Sequence, residues 1–391
     1  MTRLRIAYLG RHRIPNERAH GIQIMKTCEA MASLGHEVVQ FYGNRFQSRD
    51  LRGVDPYRYH GVDRNFKLQS VPVIDVEPLQ KIVPRRLLKP AFILMNVIFA
   101  ITIAIRTYRY HADVNYTRDW VIATLLSYFG RPTVVEVHQS NTLSMSSRAM
   151  GAVAHASRRD SILRVITISE GLKKELIRRG SPSEKIVVAR GAVDIAKFGK
   201  FQSPSAARLA LGLPDDKPIV MYTGHLTRAR GVCTLIEAVK SVPDANFVIV
   251  GGTVGNENLC EAELERAGEI ENLIWTGRVT PVEVAAYQEA ADILVLPQTD
   301  EVGQAPMKLY EYLASCSAVV ASNIPPFREV LTDNESAVLF EPGSICDLAR
   351  SIQRLLDDKQ LLTRLSRNGH EIARNWTWQD RVSKILLQLP T

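Results

Sequence analysis

Residues 219–231 read IVMYTGHLTRARG, and this stretch decides the fold. Five strand-forming residues are followed by a glycine turn, two arginines and the start of a helical pattern over 231–241. A strand that passes through a short turn into a helix is the unit from which parallel α/β sheets are built. At such a turn, backbone N–H groups and the helix dipole favour a phosphate group, and arginine adds a bidentate donor. The stretch therefore predicts an anion site at the end of a parallel strand, with solvated surface charge as the alternative.

The same alternation of strand and helix patterns occupies the chain in two series. Seven strand patterns lie between residues 4 and 190, and six lie between residues 219 and 340. The fold class is therefore α/β, with two Rossmann-like, doubly wound parallel-sheet domains. Because ligands of open α/β sheets bind outside the carboxyl ends of the strands, two such domains facing each other predict a ligand in an interdomain cleft.

Composition shifts between the two series suggest the domain boundaries. Gly199, Pro204, Gly212, Pro214 and Pro218 interrupt the pattern between the series. Such a cluster of turn-forming residues is typical of a linker. The predicted organisation is a basic N-terminal domain over 1–198, a linker over 199–217, a C-terminal domain over 218–370 and a C-terminal helix over 371–391 that packs back toward the first domain.

Composition also limits the class of protein. Hydrophobic residues make up 46% and charged residues 23% of 391 residues, which excludes disorder as a description of the whole chain. The five cysteines are scattered without zinc-ligand spacing, which favours reduced thiols in a cytoplasmic protein. The opening MTRLRIAYLG has a short apolar run and no cleavage-site pattern, so we interpret it as a first strand rather than an export signal.

Charge is distributed unevenly along the chain. Residues 1–195 carry 30 basic and 16 acidic residues, whereas the remaining residues carry 19 and 25. A basic half can serve nucleic acid or an anionic membrane. The sequence contains no zinc finger, RNP-type aromatic motif or long basic helix, so nucleic acid is not an expected partner.

A membrane surface fits the basic half better. No acidic residue occurs from Lys81 to Ala112, and the apolar run 91–105 follows Pro90, which suits the first turn of a helix. Fifteen residues reach about 22 Å, too short to span roughly 30 Å of hydrocarbon. The run is therefore a buried core helix, an interfacial helix on anionic lipid, or both on different faces. The predicted membrane or acceptor surface comprises Lys81, Arg85, Arg86, Lys89, Arg106 and Arg109.

Three further positions fall at strand-to-helix turns, where ligands of α/β proteins bind. Gly21 follows His20 directly before a helical pattern, and His138 ends the strand pattern that begins at Thr133. In the second half, a helical pattern begins near Met307 and carries Glu311 about one turn later. A carboxylate there can reach two ribose hydroxyls while first-turn N–H groups face phosphate. A structural histidine and a charge favoured by the helix dipole are the alternatives for His138 and Glu311.

The order and spacing of these pieces resemble retaining glycosyltransferases of the GT-B fold, in the large family four, which is of the group 1 type. The resemblance extends over nearly the full chain. In the first half the matching segments are RIPNERAHGIQIMKTCEAMASLGHEV, VEVHQ, ITISEGLKKEL and GAVDIAKF. In the second half they are YTGHLTRARGVCTLIEAV, FVIVGG, WTGRVTPVEVAAYQEAADILVLPQ, PMKLYEYLASCSAVVAS, PPFREVL and AVLFEPG.

The resemblance implies roles for individual residues. Arg230 stands where the family has a lysine on the donor diphosphate, Glu311 matches the glutamate that holds the ribose, and His138 matches the histidine that contacts the transferred sugar. These three are the predicted catalytic residues. The predicted donor-binding residues are Gly21, Gly224, His225, Arg228, Arg278, Val279, Gly303, Met307, Lys308 and Glu311.

Two positions depart from the family pattern. The first glutamate of the family's E-x7-E falls on Gly303, and Asp300 or Glu301 is a candidate to compensate from the same loop. His225 stands where many members have an arginine, which makes phosphate binding sensitive to pH near 6.5. Arg228 is a candidate for the missing cation.

The resemblance implies a retaining, metal-independent reaction that needs no cofactor besides the nucleotide-diphosphate sugar as co-substrate. The expected acceptor is a lipid-linked or cell-envelope glycan, reached on the cytoplasmic face of the membrane by a peripheral protein. Two alternatives stay open. The chain can be a catalytically degenerate GT-B subunit that binds a sugar nucleotide, or a nucleotide-sugar epimerase, which shares the two-domain scaffold.

Overall fold

The computed structural model describes residues 3–16, 19–47, 51–73, 75, 85–138, 147–252, 270–299 and 307–390, except for the side chains of residues 19, 85–93 and 147. The chain divides into two compact units. The first unit comprises residues 1–190 together with 378–391, and the second unit comprises residues 191–377. Each unit is built on its own parallel sheet, which confirms the predicted α/β class with two Rossmann-like domains.

In the first unit, the described residues form a seven-stranded sheet in the order β3-β2-β1-β4-β5-β6-β7. The strands are β1 (Arg5–Gly10), β2 (Glu37–Asn44), β3 (Lys67–Pro72), β4 (Val114–Thr117), β5 (Thr133–Val137), β6 (Ile162–Thr167) and β7 (Ile186–Val188). The helices that precede the unit's last segment are α1 (Ala19–Ser33), α2 (Pro56–His60), α3 (Arg85–Tyr110), α4 (Trp120–Tyr128), α5 (Ser147–Ala156) and α6 (Glu170–Arg178). The inner strands are buried on both faces, as expected of a parallel sheet covered by helices on each side.

In the second unit, the described residues form a six-stranded parallel sheet in the order β10-β9-β8-β11-β12-β13. Its strands are β8 (Ile219–Thr223), β9 (Asn246–Val250), β10 (Leu273–Gly277), β11 (Ile293–Leu296), β12 (Ala318–Ser322) and β13 (Val338–Phe340). Its helices are α7 (Pro204–Leu211), α8 (Val232–Val239), α9 (Val284–Glu289), α10 (Met307–Ala314), α11 (Pro325–Arg328), α12 (Ile345–Asp357) and α13 (Lys359–Ala373). The helical pattern predicted at 257–268 lies outside the described residues.

Strand order reverses at one point in each sheet. In the first unit the reversal lies between β1 and β4, and in the second it lies between β8 and β11. The turns that leave two such strands diverge to opposite faces of the sheet, which opens a crevice where ligands of doubly wound folds bind. The fold therefore places one candidate site in each unit, at the carboxyl ends of these strands.

The predicted linker over 199–217 is wrong, because this segment belongs to the second unit. It contains α7, where Ser203 caps the helix by accepting from Ala206 N–H, Pro204 occupies the first turn and Gly212 ends the helix at φ +66°. Proline and glycine therefore mark the two ends of a helix here. Arg208 of α7 is buried and anchors the segment, donating to Asp292 Oδ2 at 2.5 Å and to Ala290 O at 2.9 Å.

The boundaries predicted at 198 and 370 also move. The second unit begins at Gly191, where a Cβ atom would lie 2.2 Å from the ring of Tyr310. The boundary predicted at residue 370 lies inside α13, where the missing side chain of Gly369 makes room for Leu313. The chain leaves the helix only after residue 373, and helix α14 (Trp378–Leu387) then packs against α1 in the first unit.

Helix α3 is longer than the sequence pattern indicates. It begins at Arg85, so Pro90 lies inside the helix and not in its first turn. Phe99, Ala100 and Ile103 of this helix are fully buried in the core of the first unit, which confirms the core-helix interpretation for this face. No helix in the described part of the chain is both long enough and apolar enough to cross a membrane.

The expectation that every cysteine is a reduced thiol is wrong for Cys233. This residue is disulfide-bonded, whereas Cys28, Cys316 and Cys346 are free thiols. The remaining cysteine, Cys260, lies outside the described residues.

Gly231 offers a test of the packing around β8 and β11. Its φ is +71°, and a Cβ atom would lie 1.6 Å from the carbonyl oxygen of Pro297. Gly277 has a similar φ of +73° but open space around it. We expect Gly277→Ala to cost about 1–2 kcal/mol for the left-handed backbone alone. Gly231→Ala should cost about 1–3 kcal/mol more because of overpacking. Urea unfolding of both variants measures this difference, and equal losses would contradict the packing argument.

Candidate functional site

Glycines at the carboxyl ends of β8 and β9 bring their turns into backbone contact. Gly224 adopts φ +136° and donates its N–H to Val250 O at 2.8 Å. A Cβ atom on Gly251 would lie 1.9 Å from the carbonyl oxygen of Gly224. Glycine is therefore required at position 251 for the two turns to meet, whereas a Cβ atom on Gly224 would lie 3.0 Å from Lys308 Nζ.

Two cations converge beside this edge of the sheet. Arg230 donates from Nη1 to Gln298 Oε1 at 2.6 Å, across the point where strand order reverses. Lys308, in the first turn of α10, donates from Nζ to Thr223 O at 3.1 Å and lies 3.8 Å from the ring centroid of Tyr222. Burial lowers the pKa of Lys308 well below its usual value, and Arg230 lowers it further, whereas Glu311 opposes the shift. The structure therefore holds two basic side chains near each other with fixed partners, and a bound anion would favour the charged form of Lys308.

Glu311 lies one turn after Lys308 on the same helix and is half-buried. The buried amide of Gln288 is 3.5 Å from Glu311 Oε2 through Nε2, and the same nitrogen donates to Thr223 Oγ1 at 3.1 Å. Gln288 Oε1 has no hydrogen-bond partner within the described ranges. A carboxylate and an amide oxygen that can accept hydrogen bonds suit a ligand with hydroxyl groups.

The structure brings several predicted donor-binding residues of the second unit together. Gly224, Arg230, Lys308 and Glu311 cluster at the end of β8, as described above. Arg278 lies on the same edge, since a Cβ atom on Gly252 would be 2.6 Å from its Cγ.

Other predicted donor-binding residues lie at the surface of the second unit, in its core or outside the described residues. His225 and Arg228 are exposed, and the carbonyl oxygen of His225 accepts from Tyr222 OH at 2.7 Å. Val279 packs against the hydrophobic core, and Met307 is half-buried at the start of α10. Gly303, with the compensating candidates Asp300 and Glu301, lies outside the described residues.

In the first unit, His138 directly follows β5 and contacts the carboxylate of Glu136 through Nε2. The Gln23 amide nitrogen of α1 is 3.4 Å from the same histidine nitrogen, and Arg118 Nη1 donates to Gln23 Oε1 at 3.2 Å. Burial lowers the pKa of His138 to about 4, and Arg118 adds to this effect while Glu136 opposes it. His138 is therefore a neutral imidazole at neutral pH.

The carboxylate of Glu136 is the centre of this group. It is buried and accepts from Tyr116 OH and from Arg381 Nη2, the latter at 2.6 Å. Burial alone would raise the pKa of Glu136, but Arg381 and His138 hold it well below its usual value. Sequence reasoning missed both Glu136 and Arg381. The only available signal was a carboxylate inside an apolar strand, two residues before His138.

Gly21 lies in the first turn of α1, where the chain is tightly packed. A Cβ atom at this position would lie 2.8 Å from Asn16 Cβ and 3.3 Å from His60 Cε1. Asn16 is buried, and its Nδ2 is 3.0 Å from His20 Nε2. The close approach leaves no room for a side chain at position 21, so packing alone requires glycine here, and its donor-binding role stays a prediction.

The predicted surface residues of α3 divide into two groups. Arg106 and Arg109 are exposed on the last turns of the helix. Arg85, Arg86 and Lys89 belong to the helix, but their side chains lie outside the description, as does Lys81 altogether.

Fold and geometry together define a two-unit α/β protein with a cationic site in one unit and a neutral, hydrogen-bonded histidine in the other. Two family models match it. The model described as Glycosyl transferases group 1 matches residues 205–372, and the Glycosyl transferase 4-like domain matches residues 19–191. The chain belongs to the group 1 glycosyltransferases, and its fold is GT-B, which confirms the family indicated by the sequence.

Curated relatives are similar at moderate identity. Alpha-D-kanosaminyltransferase of Streptomyces kanamyceticus is 26% identical over 256 residues, which is 61% of this chain and 65% of the relative. Phosphatidyl-myo-inositol mannosyltransferase of Mycobacterium leprae is 26% identical over 262 residues, which is 65% of this chain and 66% of the relative. The chain thus spans only about two thirds of the length of these relatives.

Solved structures share the fold over nearly the whole chain. Sucrose-phosphate synthase of Thermosynechococcus elongatus superposes with a TM-score of 0.78 at 20% identity, covering 98% of both chains. HepE of Anabaena, in complex with UDP-glucose, superposes with a TM-score of 0.75 at 17% identity, covering 99% of this chain and 100% of that chain.

The pKa of His138 predicts a pH dependence of stability. Between pH 6.5, the usual value, and about 4, the unfolded histidine binds a proton and the folded one does not, so stability falls as pH falls through this window. A shift of this size corresponds to roughly 3 kcal/mol. We expect His138→Gln to lose this dependence between pH 6.5 and about 5.5, a window above the usual pKa values of carboxylates. Urea unfolding at pH steps measures it, and parallel profiles for variant and wild type would exclude a neutral buried His138.

Proposed function

We propose that the protein transfers a sugar from a nucleoside-diphosphate sugar to an acceptor, with retention at the anomeric carbon and without a metal. The observation that carries the proposal is the convergence of Arg230 and Lys308 beside Glu311 where strand order reverses in the second unit. UDP-glucose bound to HepE, which shares the fold, supports a nucleotide sugar as the ligand. The sugar-transferring relatives support transfer as the reaction.

The chemistry follows from the leaving group. When the bond between the anomeric carbon and the phosphate oxygen breaks, its electron pair stays on the diphosphate. Arg230, Lys308 and the first-turn N–H groups of α10 would stabilise this charge in a preorganised site. Glu311 would accept hydrogen bonds from the ribose hydroxyls.

Retention is supported by the family resemblance and takes a front-face course. The acceptor oxygen bonds to the anomeric carbon on the face that the diphosphate leaves, and its proton passes to the departing phosphate oxygen. No side-chain base is required for this step. His138, neutral at physiological pH, would accept a hydrogen bond from a hydroxyl of the transferred sugar.

A degenerate subunit and an epimerase remain the competing functions. A degenerate subunit would bind sugar nucleotide without turning it over. An epimerase would change the sugar and release nucleotide without any acceptor. Incubation with nucleotide sugars, found by a thermal-shift screen, separates the three, because only a transferase makes nucleotide release depend on an acceptor.

The cation pair gives the sharpest mutational test. We expect Arg230→Ala to lower kcat by about 10²–10³, the usual effect of removing one donor to a developing anion. Glu311→Ala should abolish transfer through loss of the ribose contact. Arg354→Ala, which removes an exposed arginine of α12, is the matched control and should retain wild-type rates. Transfer by Arg230→Ala at the control rate would remove the proposed leaving-group role.

We further propose that the first unit docks on an anionic membrane, where a lipid-linked acceptor would be reached from the cytoplasmic side. The face of α3 opposite the core carries an apolar stripe at helical spacing. The stripe consists of Leu94, Val97, Ile101, Ile105 and Tyr108, each at least 42% exposed. Tyr128 and Phe129, at the end of α4, extend it with 59% and 66% exposure. Contiguous exposed apolar surface of this kind marks an interaction site.

Arginines at the edge of this stripe favour lipid as the occupant. The guanidinium of Arg131 lies 5.4 Å from the ring centroid of Tyr108, and that of Arg159 lies 3.9 Å from that of Tyr128. Arg106 and Arg109 add two exposed charges on α3 itself. Aromatic rings with basic neighbours beside an apolar face suit the boundary between headgroups and acyl chains. The name of the Mycobacterium leprae relative, a phosphatidyl-myo-inositol mannosyltransferase, supports a lipid acceptor.

Vesicle flotation tests the docking surface. We expect the wild type to float with phosphatidylcholine vesicles only when they also contain phosphatidylglycerol. Replacing Ile101 and Ile105 by serine should weaken binding about thirtyfold, since each half-exposed isoleucine can contribute roughly 1 kcal/mol on burial. Leu209→Ser is the matched control, because this leucine of α7 is 85% exposed in the other unit. Absence of the wild type from both floating fractions would end the membrane proposal.

A further inference from the structure

One charged side chain of the first unit comes from the far end of the chain. Arg381 lies on α14 and is buried, at 5% exposure, beside the end of β5. Its Nε donates to Arg190 O at 2.8 Å, and its Nη2 donates to Glu136 Oε1 at 2.6 Å. Neither matching family model includes this residue, because they end at residues 191 and 372.

Stability alone does not account for this ion pair. A buried pair recovers little more than its desolvation penalty, and apolar residues of similar size often serve stability as well. Arg381 Nη1 is also buried without a hydrogen-bond partner within the described ranges, which adds to the cost. This cost indicates that Arg381 has a role besides stability, and that role lies in keeping Glu136 ionised.

The role follows from what Glu136 does to His138. The ionised carboxylate only accepts, so the histidine nitrogen that contacts it, Nε2, must carry the proton. Nδ1 of the neutral ring is then the acceptor. Gln23 is oriented by Arg118, which donates to its carbonyl oxygen, and its amide nitrogen lies 3.5 Å from Glu136 Oε1. Its 3.4 Å approach to His138 Nε2 is then a contact between two donors, so the assignment rests on the carboxylate of Glu136.

We propose that Arg381 is a positioning residue: it keeps Glu136 as a carboxylate, which fixes the ring and tautomer of His138 so that Nδ1 accepts from the ligand. The inference rests on the proposed function for the identity of that ligand, a sugar hydroxyl. The arrangement of the four side chains does not depend on it. The C-terminal helix thereby completes the candidate site of the first unit.

Among the residues that the structure describes, the charged and titratable groups found around this pair belong to the first unit. His138 faces Glu136 on its own strand end, Arg118 after β4 and Arg381 on α14. Glu136 also accepts from Tyr116 OH. Tyr8, which stacks on Tyr116 with ring centroids 5.1 Å apart, interacts with Glu136 more weakly. Without Arg381, burial favours protonation of Glu136, which can then donate to His138 and reverse its tautomer.

Nuclear magnetic resonance of the full chain, labelled with ¹⁵N-histidine, tests the proposal without any substrate. The His138 resonance is assigned by its loss in His138→Gln. At pH 7 we expect the wild type to show the neutral Nε2–H tautomer. Arg381→Met should shift the population toward Nδ1–H, whereas Arg381→Lys should keep the wild-type tautomer by keeping the charge. Lys384→Met removes an exposed charge from the same helix and should change nothing.

A second variant keeps the test decisive if Arg381→Met does not fold. Arg381→Met combined with Glu136→Gln removes both charges, which buried pairs usually tolerate better than loss of one partner. This double variant should also lose the fixed tautomer. If His138 keeps the Nε2–H form in Arg381→Met, or in the double variant where Arg381→Met does not fold, the proposal is overturned.

Activity supplies an independent arm. In Arg381→Met we expect transfer to fall at least tenfold near pH 7 and to recover as pH rises and Glu136 ionises again, a profile that general destabilisation would not produce. Lys384→Met should transfer at the wild-type rate. A wild type without transfer would refute the proposed function and leave the tautomer result to decide the role of Arg381.

Discussion

Two like charges held near each other are the constraint on which the second unit's site depends. Arg230 is fixed by Gln298 and Lys308 by the carbonyl of Thr223 and the ring of Tyr222, so neither can move away from the other without losing a partner. Burial and mutual repulsion disfavour the charged form of Lys308. A bound anion would reverse both effects at once, which is why this geometry is better suited to a diphosphate than to a neutral ligand.

The sheets make this geometry possible. At the reversal of strand order, the turns after β8 and β11 diverge, and Gly231 lets α8 begin directly against the carbonyl of Pro297. Arg230 therefore arrives beside Gln298 from a different strand end. The first unit repeats the principle, since Arg11 after β1 pairs with Asp119 after β4 across its own reversal point. Rigid strand ends thus position side chains that lie far apart in sequence.

Local patterns in the sequence were enough to predict the strands and the residues at their ends, because each strand and its turn are contiguous. Arg230 and Glu311 could be found this way, whereas Lys308 was predicted only with the family resemblance. Contacts between residues far apart in sequence could not be predicted from such local patterns. Nothing near Arg381 indicates that it reaches Glu136, 245 residues earlier. Pro204 and Gly212 suggested a linker, although they cap a helix whose anchor, Arg208, pairs with Asp292. The boundary predicted at residue 370 fell inside α13, where close packing against Leu313 explains the glycine at 369.

The two candidate sites treat buried charge in opposite ways, and the proposed ligands explain the contrast. In the first unit, the carboxylate of Glu136 has its own cation in Arg381, so the histidine beside it stays neutral and offers a lone pair. A sugar hydroxyl carries no charge, so the site that binds it must already have its buried charges paired. In the second unit, two basic side chains face one partly buried carboxylate, so a bound anion would be needed to neutralise the excess positive charge. A diphosphate gains negative charge as the glycosidic bond breaks. It would therefore neutralise the two basic side chains most fully in the transition state, where tighter binding accelerates the reaction.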